Sequence, residues 1–165
     1  MTTQRIDTYM MAIAHITAAM SKAKKLKVGA VFSRDGRPLC TGWNGVLEGL
    51  TDDSCETVGY CSCYMSESGV GFLGCPDCNG VGMVYKTKPS VIHAEMNALR
   101  YMAKSGISTD GATLYITHAP CINCAKHLAG IGLSRIVYQH NYRSTAGIEF
   151  LSTLLPIEKF SGTLP

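Results

Sequence analysis

The stretch VIHAEMNALRYMAKSGISTDGATLYITHAPCINCAKHLAGIGLSRIVYQH, residues 91–140, decides the fold. Ile92, Met96, Leu99 and Ala103 recur at helical spacing and predict a helix that Gly106 closes. Ala112–Thr117 is a short apolar run and reads as a strand. Pro120 opens a second helix, to about Ile131, at the position proline tolerates best. Arg135–Gln139 is a strand, Thr145–Leu155 a helix and Ile157–Phe160 a last strand. This alternation predicts an α/β layer fold with a partly parallel sheet covered by helices.

Upstream, Ile6, Tyr9, Met10, Ile13, Ile16, Thr17 and Met20 mark an amphipathic helix. A basic run follows, with Lys22, Lys24, Lys25 and Lys27. Val28–Ser33 and Leu39–Trp43 are strand candidates joined by Arg34-Asp35-Gly36-Arg37, which carries the Asp-Gly hairpin signal. Pro38 suits an edge strand, where a missing N–H does least harm. Residues Gly45 to Ser90 are rich in Gly and Cys and lack periodicity. We expect one domain over residues 1–165, with an insertion at about 45–90.

With 46% hydrophobic and 16% charged residues, the 165-residue chain is not a disordered or linker sequence. A net charge of +3 is too mild to argue for nucleic-acid binding. No apolar run reaches membrane-spanning length, and residues 1–20 lack a signal-peptide layout, so a cytoplasmic protein is expected. Eight cysteines in a reducing compartment point to metal or catalysis rather than disulfides.

Two segments carry chemistry. His93-Ala94-Glu95 opens one predicted helix, and Pro120-Cys121-Ile122-Asn123-Cys124 opens another. Cys121 and Cys124 share a face of the first turn, giving two corners of a tetrahedral zinc site. His93 supplies a third corner and leaves one position open. Water there ionises near neutral pH, and Glu95 is placed to shuttle protons. A structural zinc or a redox pair is the competing use of Cys-x-x-Cys. The combined motif weighs against it.

His93-Ala94-Glu95 with Pro120-Cys121-x-x-Cys124 resembles the zinc-dependent cytidine and deoxycytidylate deaminase superfamily, whose ligand set it matches. Val28-Gly29-Ala30-Val31, Thr41-Gly42-Trp43-Asn44-Gly45 and Tyr115-Ile116-Thr117 stand in the family's order. They look most like deoxycytidylate (dCMP) deaminases, phage-encoded ones included. The resemblance implies a three-layer cytidine-deaminase-like fold with a mixed five-stranded sheet. It also implies hydrolysis of dCMP to dUMP, a thymidylate precursor, and ammonia by zinc-activated hydroxide, with Glu95 as the proton carrier. It further implies a homo-oligomer, with a hexamer favoured, activated by dCTP and inhibited by dTTP. The family's effector loop falls at Gly42–Gly49, where Val46-Leu47-Glu48-Gly49 departs from the usual Pro-containing segment.

The same resemblance implies substrate contacts at Asn44 and Lys25, and His118 and Ala94 are further candidates. Each has an ordinary alternative. Asn44-Gly45 is also a common turn pair. The lysine run also suits a solvated helix end. His118 either stacks on the base or caps the neighbouring helix. Tyr115 and Trp43 read as packing residues, and His15, His127 and His140 as surface or satisfied polar residues away from the motif.

A second cluster lies in the insertion. Cys75-Pro76-Asp77-Cys78-Asn79-Gly80-Val81-Gly82 looks like a zinc-knuckle turn. With Cys55, Cys61 or Cys63 it can complete a Cys₄ site holding a second, structural zinc; five candidates stand for four positions. Cys40 reads as simply buried. The other activities considered are a nucleoside cytidine deaminase and a tRNA adenosine deaminase. A zinc-ribbon binding module is the non-enzyme alternative, for which Glu95 and an open zinc position would be superfluous.

Overall fold

A computed structural model describes residues 3–65 and 75–164; residues 66–74 of the insertion lie outside the described set. The chain runs α1 (Thr3–Ala19), β1 (Gly29–Arg34), β2 (Arg37–Trp43), β3 (Gly45–Val46), β4 (Glu56–Tyr60), a short 3₁₀ turn (Ser62–Met65), β5 (Met83–Thr87), β6 (Val91–Ile92) and α2 (Ala94–Lys104). It continues through β7 (Thr113–His118), α3 (Ile122–Leu128), β8 (Arg135–His140), α4 (Ala146–Ser152) and β9 (Ile157–Lys159).

Five strands form one mixed sheet in the order β2-β1-β7-β8-β9. β1 pairs antiparallel with β2 and β7, whereas β7, β8 and β9 run parallel. The β1–β2 turn has positive φ at both central residues, Asp35 (53°) and Gly36 (71°), as a tight hairpin requires. Pro38 lies in the edge strand β2, beside a register shift in β1.

Period-two alternation splits the sheet's apolar side chains between its faces. Val31, Tyr115 and Val137 face α1 through Met10, Met11 and Ala14. Ala30, Phe32, Leu114, Ile116 and Ile136 face the other helices through Ala98, Met102, Leu128 and Leu151. The result is a three-layer α/β fold.

Two helices differ in extent from the sequence expectation. Pro120 lies outside α3, because Cys121 takes extended backbone geometry as its N-cap. That helix stops at Leu128 rather than Ile131: Ala129 is already extended and Gly130 has φ of 76°. α4 closes at Ser152 because the N–H groups of Leu154 and Leu155 both turn back to the carbonyl of Leu151. Among the described residues, no helix is long and apolar enough to cross a membrane.

Two glycines set how closely helices approach the site. A Cβ on Gly42 would lie 2.5 Å from both the carbonyl oxygen of Ala94 and the amide nitrogen of Ala98, so the first turn of α2 rests directly on β2. A Cβ on Gly147 would meet the carbonyl of Pro120 at 2.0 Å, which seats α4 against the turn before Cys121. Gly42→Ala should therefore destabilise the fold by about 1–3 kcal/mol through overpacking. Thermal unfolding checks this, since each kcal/mol lowers Tm by about 2–4 °C in a domain of this size.

Candidate active site and cysteine cluster

His93 and Cys121 are the N-cap residues of α2 and α3, both extended and neither making a side-chain cap. Their side chains are thus free to turn towards each other. β7 lies between the two helices in the chain and pairs with both β1 and β8. His93 Nδ1 lies 3.6 Å from Cys121 Sγ and 3.3 Å from Cys124 Sγ. The three donor atoms fall within 4.8 Å of one another.

These separations test whether one ion fits. Tetrahedral bonds of about 2.3 Å to sulfur and about 2.0 Å to nitrogen give N···S edges of about 3.5 Å. The observed distances match that figure to within a few tenths of an ångström. The donor set also fits chemically: two thiolates and one imidazole suit zinc, and three protein ligands leave a fourth position for solvent or substrate. Both helix N-termini add partial positive charge beside the sulfurs. Without a cation, burial pushes the Cys124 thiol far up, and the neighbouring Glu95 and Cys121 push the same way. A dication reverses that balance and holds a coordinating thiol deprotonated.

Glu95 is buried, at 2% exposure. Burial raises its pKa, opposed by its own backbone amide, by His93 and by the Cys124 side chain. A carboxyl group in this setting is poised to accept and return a proton, and it lies directly against the candidate ligands.

The expected substrate residues differ in how far they are already engaged within the fold. Asn44 is buried and already engaged: its Oδ1 accepts the N–H of Val28 at 2.8 Å, and its Nδ2 donates to the carbonyl of Leu26 at 2.9 Å. It fastens the end of the basic loop, and these two bonds use one of its amide hydrogens and one of its oxygen lone pairs. Lys25 has an exposed side chain on that loop. Ala94 is fully buried with its carbonyl turned to β2.

Cys121, not His118, occupies the N-cap position of α3. The His118 ring lies against His140, centroids 5.0 Å apart, and its Nδ1 is 3.1 Å from Thr117 Oγ1. Burial lowers its pKa, and His140 and His15 reinforce the shift. His140 therefore lies closer to the motif than expected, because parallel pairing of β7 with β8 sets it beside His118. His15 pairs with Gln139, while His127 is exposed. Tyr115 is a core residue whose hydroxyl donates to Asp7 at 2.6 Å.

Residues 4–140 match the model of the cytidine and deoxycytidylate deaminase zinc-binding region. The chain belongs to this deaminase family. It is 36% identical over 132 residues to the deoxycytidylate deaminase of Mycobacterium phage D29, covering 80% of this chain and 92% of that protein. It is 35% identical over 138 residues to ComE operon protein 2 of Bacillus subtilis, covering 84% of this chain but 61% of that relative's length. The crystal structure of the cyanophage S-TIM5 dCMP deaminase in complex with dCMP and dUMP superimposes with a TM-score of 0.75 at 34% identity, over 96% of this chain and 98% of that one.

In this member of the family the insertion brings together a second donor set: Cys61, Cys63, Cys75 and Cys78, with sulfurs within 4.8 Å of one another. Cys55 is not part of it. It lies before β4, at the opposite end of the hairpin from Cys61, and burial raises its thiol pKa. Cys61 and Cys75 sulfurs are 3.6 Å apart and those of Cys63 and Cys78 3.3 Å, against about 3.8 Å for the edges of a tetrahedral zinc–sulfur site. Asn79 (φ 49°), Gly80 (82°) and Gly82 (75°) curl the backbone around Cys78. Burial acts to raise the Cys78 thiol, but hydrogen bonds from Cys63 and from the amides of Gly82 and Gly80 bring it down to about 7. Cys40 is buried behind Ala98 and takes no part in either cluster.

Glu56 escaped the sequence reading. It is a buried carboxylate whose Oε1 accepts the backbone N–H groups of Lys24 and Lys25. A single acidic residue inside an aperiodic segment carries no signal that would have found it.

Proposed function

We propose that the chain is a zinc-dependent dCMP deaminase that converts dCMP and water to dUMP and ammonia. The observation that carries this reading is the meeting of His93, Cys121 and Cys124 around a fully enclosed Glu95. The family membership and the dCMP- and dUMP-bound cyanophage relative support the substrate.

Zinc bound by His93, Cys121 and Cys124 would supply Lewis acidity and lower the pKa of water to about 7. Glu95 does the proton work. Its carboxylate accepts a proton from the attacking water and delivers it to N3 of cytosine, which makes C4 more electrophilic. Water oxygen bonds to C4. Glu95 then carries the proton of the new C4 hydroxyl to the exocyclic amine, the C4–N bond breaks as the C4=O bond forms, and ammonia leaves. A raised pKa suits a group that must hold a proton between those steps.

Asn44 contributes its remaining hydrogen-bonding capacity to the sugar, and the half-buried His118 ring offers a face to the base. Lys25 meets the 5′-phosphate; its exposure and the lysines around it support that role. By the same resemblance, dCTP and dTTP are effectors of a homo-oligomer, and the exposed Tyr9 and Ile16 of α1, with Met20 just after it, supply apolar surface for a subunit contact. The Cys61, Cys63, Cys75 and Cys78 site holds a second, structural zinc, and the whole chain acts as one deaminase domain carrying that insertion.

Ammonia release measured across dCMP, deoxycytidine, dCTP and tRNA should show dCMP turned over most efficiently. Preference for deoxycytidine or for tRNA would overturn the substrate assignment. Glu95→Gln should keep its metal and lose about 10²–10⁴-fold in kcat. A near-normal rate removes Glu95 from the proton relay. Metal analysis of the full chain should give two zinc ions, and Cys75→Ser with Cys78→Ser should give one.

A further inference from the structure

The insertion is joined to the basic loop by one buried carboxylate. Glu56 begins β4 and is 8% exposed. Its Oε1 lies 3.0 Å from the amide nitrogen of Lys24 and 3.2 Å from that of Lys25. The ends of this loop are fastened by the deaminase framework itself. Ser21 Oγ donates to the carbonyl of Asn44 at 2.7 Å and accepts the N–H of Ala23 at 3.2 Å. Asn44 holds Leu26 and Val28 at the other end. Between those ends, the backbone of Lys24 and Lys25 is gripped from the insertion.

Neighbouring contacts act in the same place. Lys24 Nζ lies 5.6 Å from the ring centroid of Tyr85 on β5, and Lys22 pairs with Asp53. Glu56 pairs with Thr87 at one end of the β4–β5 hairpin, and Tyr60 with Met83 at the other. Just past that second end, the N–H of Cys61 bonds the carbonyl of Gly82 at 2.9 Å. A five-residue ladder therefore links the cysteine cluster to the loop.

We propose that Glu56 is a positioning residue for nucleotide binding. It clamps the Lys24–Lys25 backbone so that the loop lysines are already arranged for the 5′-phosphate, and the four-cysteine site keeps the clamp in place. A carboxylate receiving two backbone N–H groups makes charge-assisted bonds, and a loop ordered before binding loses less entropy when the ligand arrives. The phosphate is remote from C4, so the clamp acts on KM and not on kcat. This rests on the phosphate and second-metal readings above, and the measurements separate them.

The experiment compares Glu56→Ala and Glu56→Gln in the zinc-loaded full chain. Amide hydrogen exchange reads the loop, and steady-state kinetics read dCMP against deoxycytidine. Glu56→Ala should speed exchange at Lys24 and Lys25 while leaving α2 protected. It should raise KM for dCMP about tenfold, the scale of one lost hydrogen bond to a charged group, with kcat and deoxycytidine kinetics nearly unchanged. Glu56→Gln keeps a carbonyl acceptor and should restore most of both. Glu56→Asp, one methylene shorter, gives the same pattern in smaller degree if the alanine variant fails to fold. Cys75→Ser with Cys78→Ser should also speed exchange at Lys24 and Lys25. Unchanged exchange there in Glu56→Ala overturns the clamp. Equal shifts for dCMP and deoxycytidine overturn its link to phosphate. Metal loss without faster loop exchange overturns the link to the cysteine site. If Lys25→Ala leaves dCMP KM alone while Glu56→Ala raises it, the clamp stands and Lys25 is the wrong lysine.

Discussion

Two sulfurs and an imidazole held in contact at the mouths of two helices are costly unless a cation compensates them. Everything else near the site serves that juxtaposition. The two N-caps leave their side chains free, the helix N-termini face the same point, and the one sheet face on which both helices pack sets their spacing. Gly42 and Gly147 allow backbone to touch backbone, so the helices cannot drift apart by a side chain's width. Burial of Glu95 follows from the same closeness, and it is what separates a reactive centre from a merely structural metal clip.

The insertion solves a different problem. Among the described residues it leaves Leu47, Leu50, Val58, Tyr60, Val81 and Met83 exposed, and its own packed cluster consists of Cys61, Cys75 and Cys78 with Cys63 and Val84 against them. A segment of this kind does not repay its conformational entropy by hydrophobic burial. A metal site can do so, because binding free energy becomes folding free energy. The local backbone is already shaped for it: left-handed residues after Cys78 bring amides to the sulfur, as a knuckle needs.

Much of this was legible in the sequence because it has period or spacing. The apolar stripe of α2, the Asp35-Gly36 turn and the paired motifs around His93 and Cys121 each depend on residues close in the chain. Helix ends were less legible. The end of α3 depends on the backbone of Ala129 and Gly130, not on the apolar pattern, which runs on to Ile131. Long-range choices left no local trace at all. Which four cysteines converge is decided by how the β4–β5 hairpin pairs, and that pairing sends Cys55 to the wrong end. The contact between His118 and His140 likewise exists only because two strands run parallel in one register.

Asn44 shows how the two halves of the site are coupled. The sequence suggested either a turn residue or a ligand for the sugar, and the structure makes these compatible. Its amide spans the end of the basic loop, bonding Leu26 and Val28, while its backbone N–H bonds the carbonyl of Val28 at 3.1 Å. It sits at the end of β2, one strand position after Trp43, whose carbonyl accepts from Asn97 in α2 at 3.0 Å. One short segment thus touches the helix that carries Glu95 and the loop that carries Lys25. Under the proposed substrate contacts, a nucleotide bonding the remaining valences of Asn44 would be registered against both, with base and phosphate positioned from a common rigid point rather than independently.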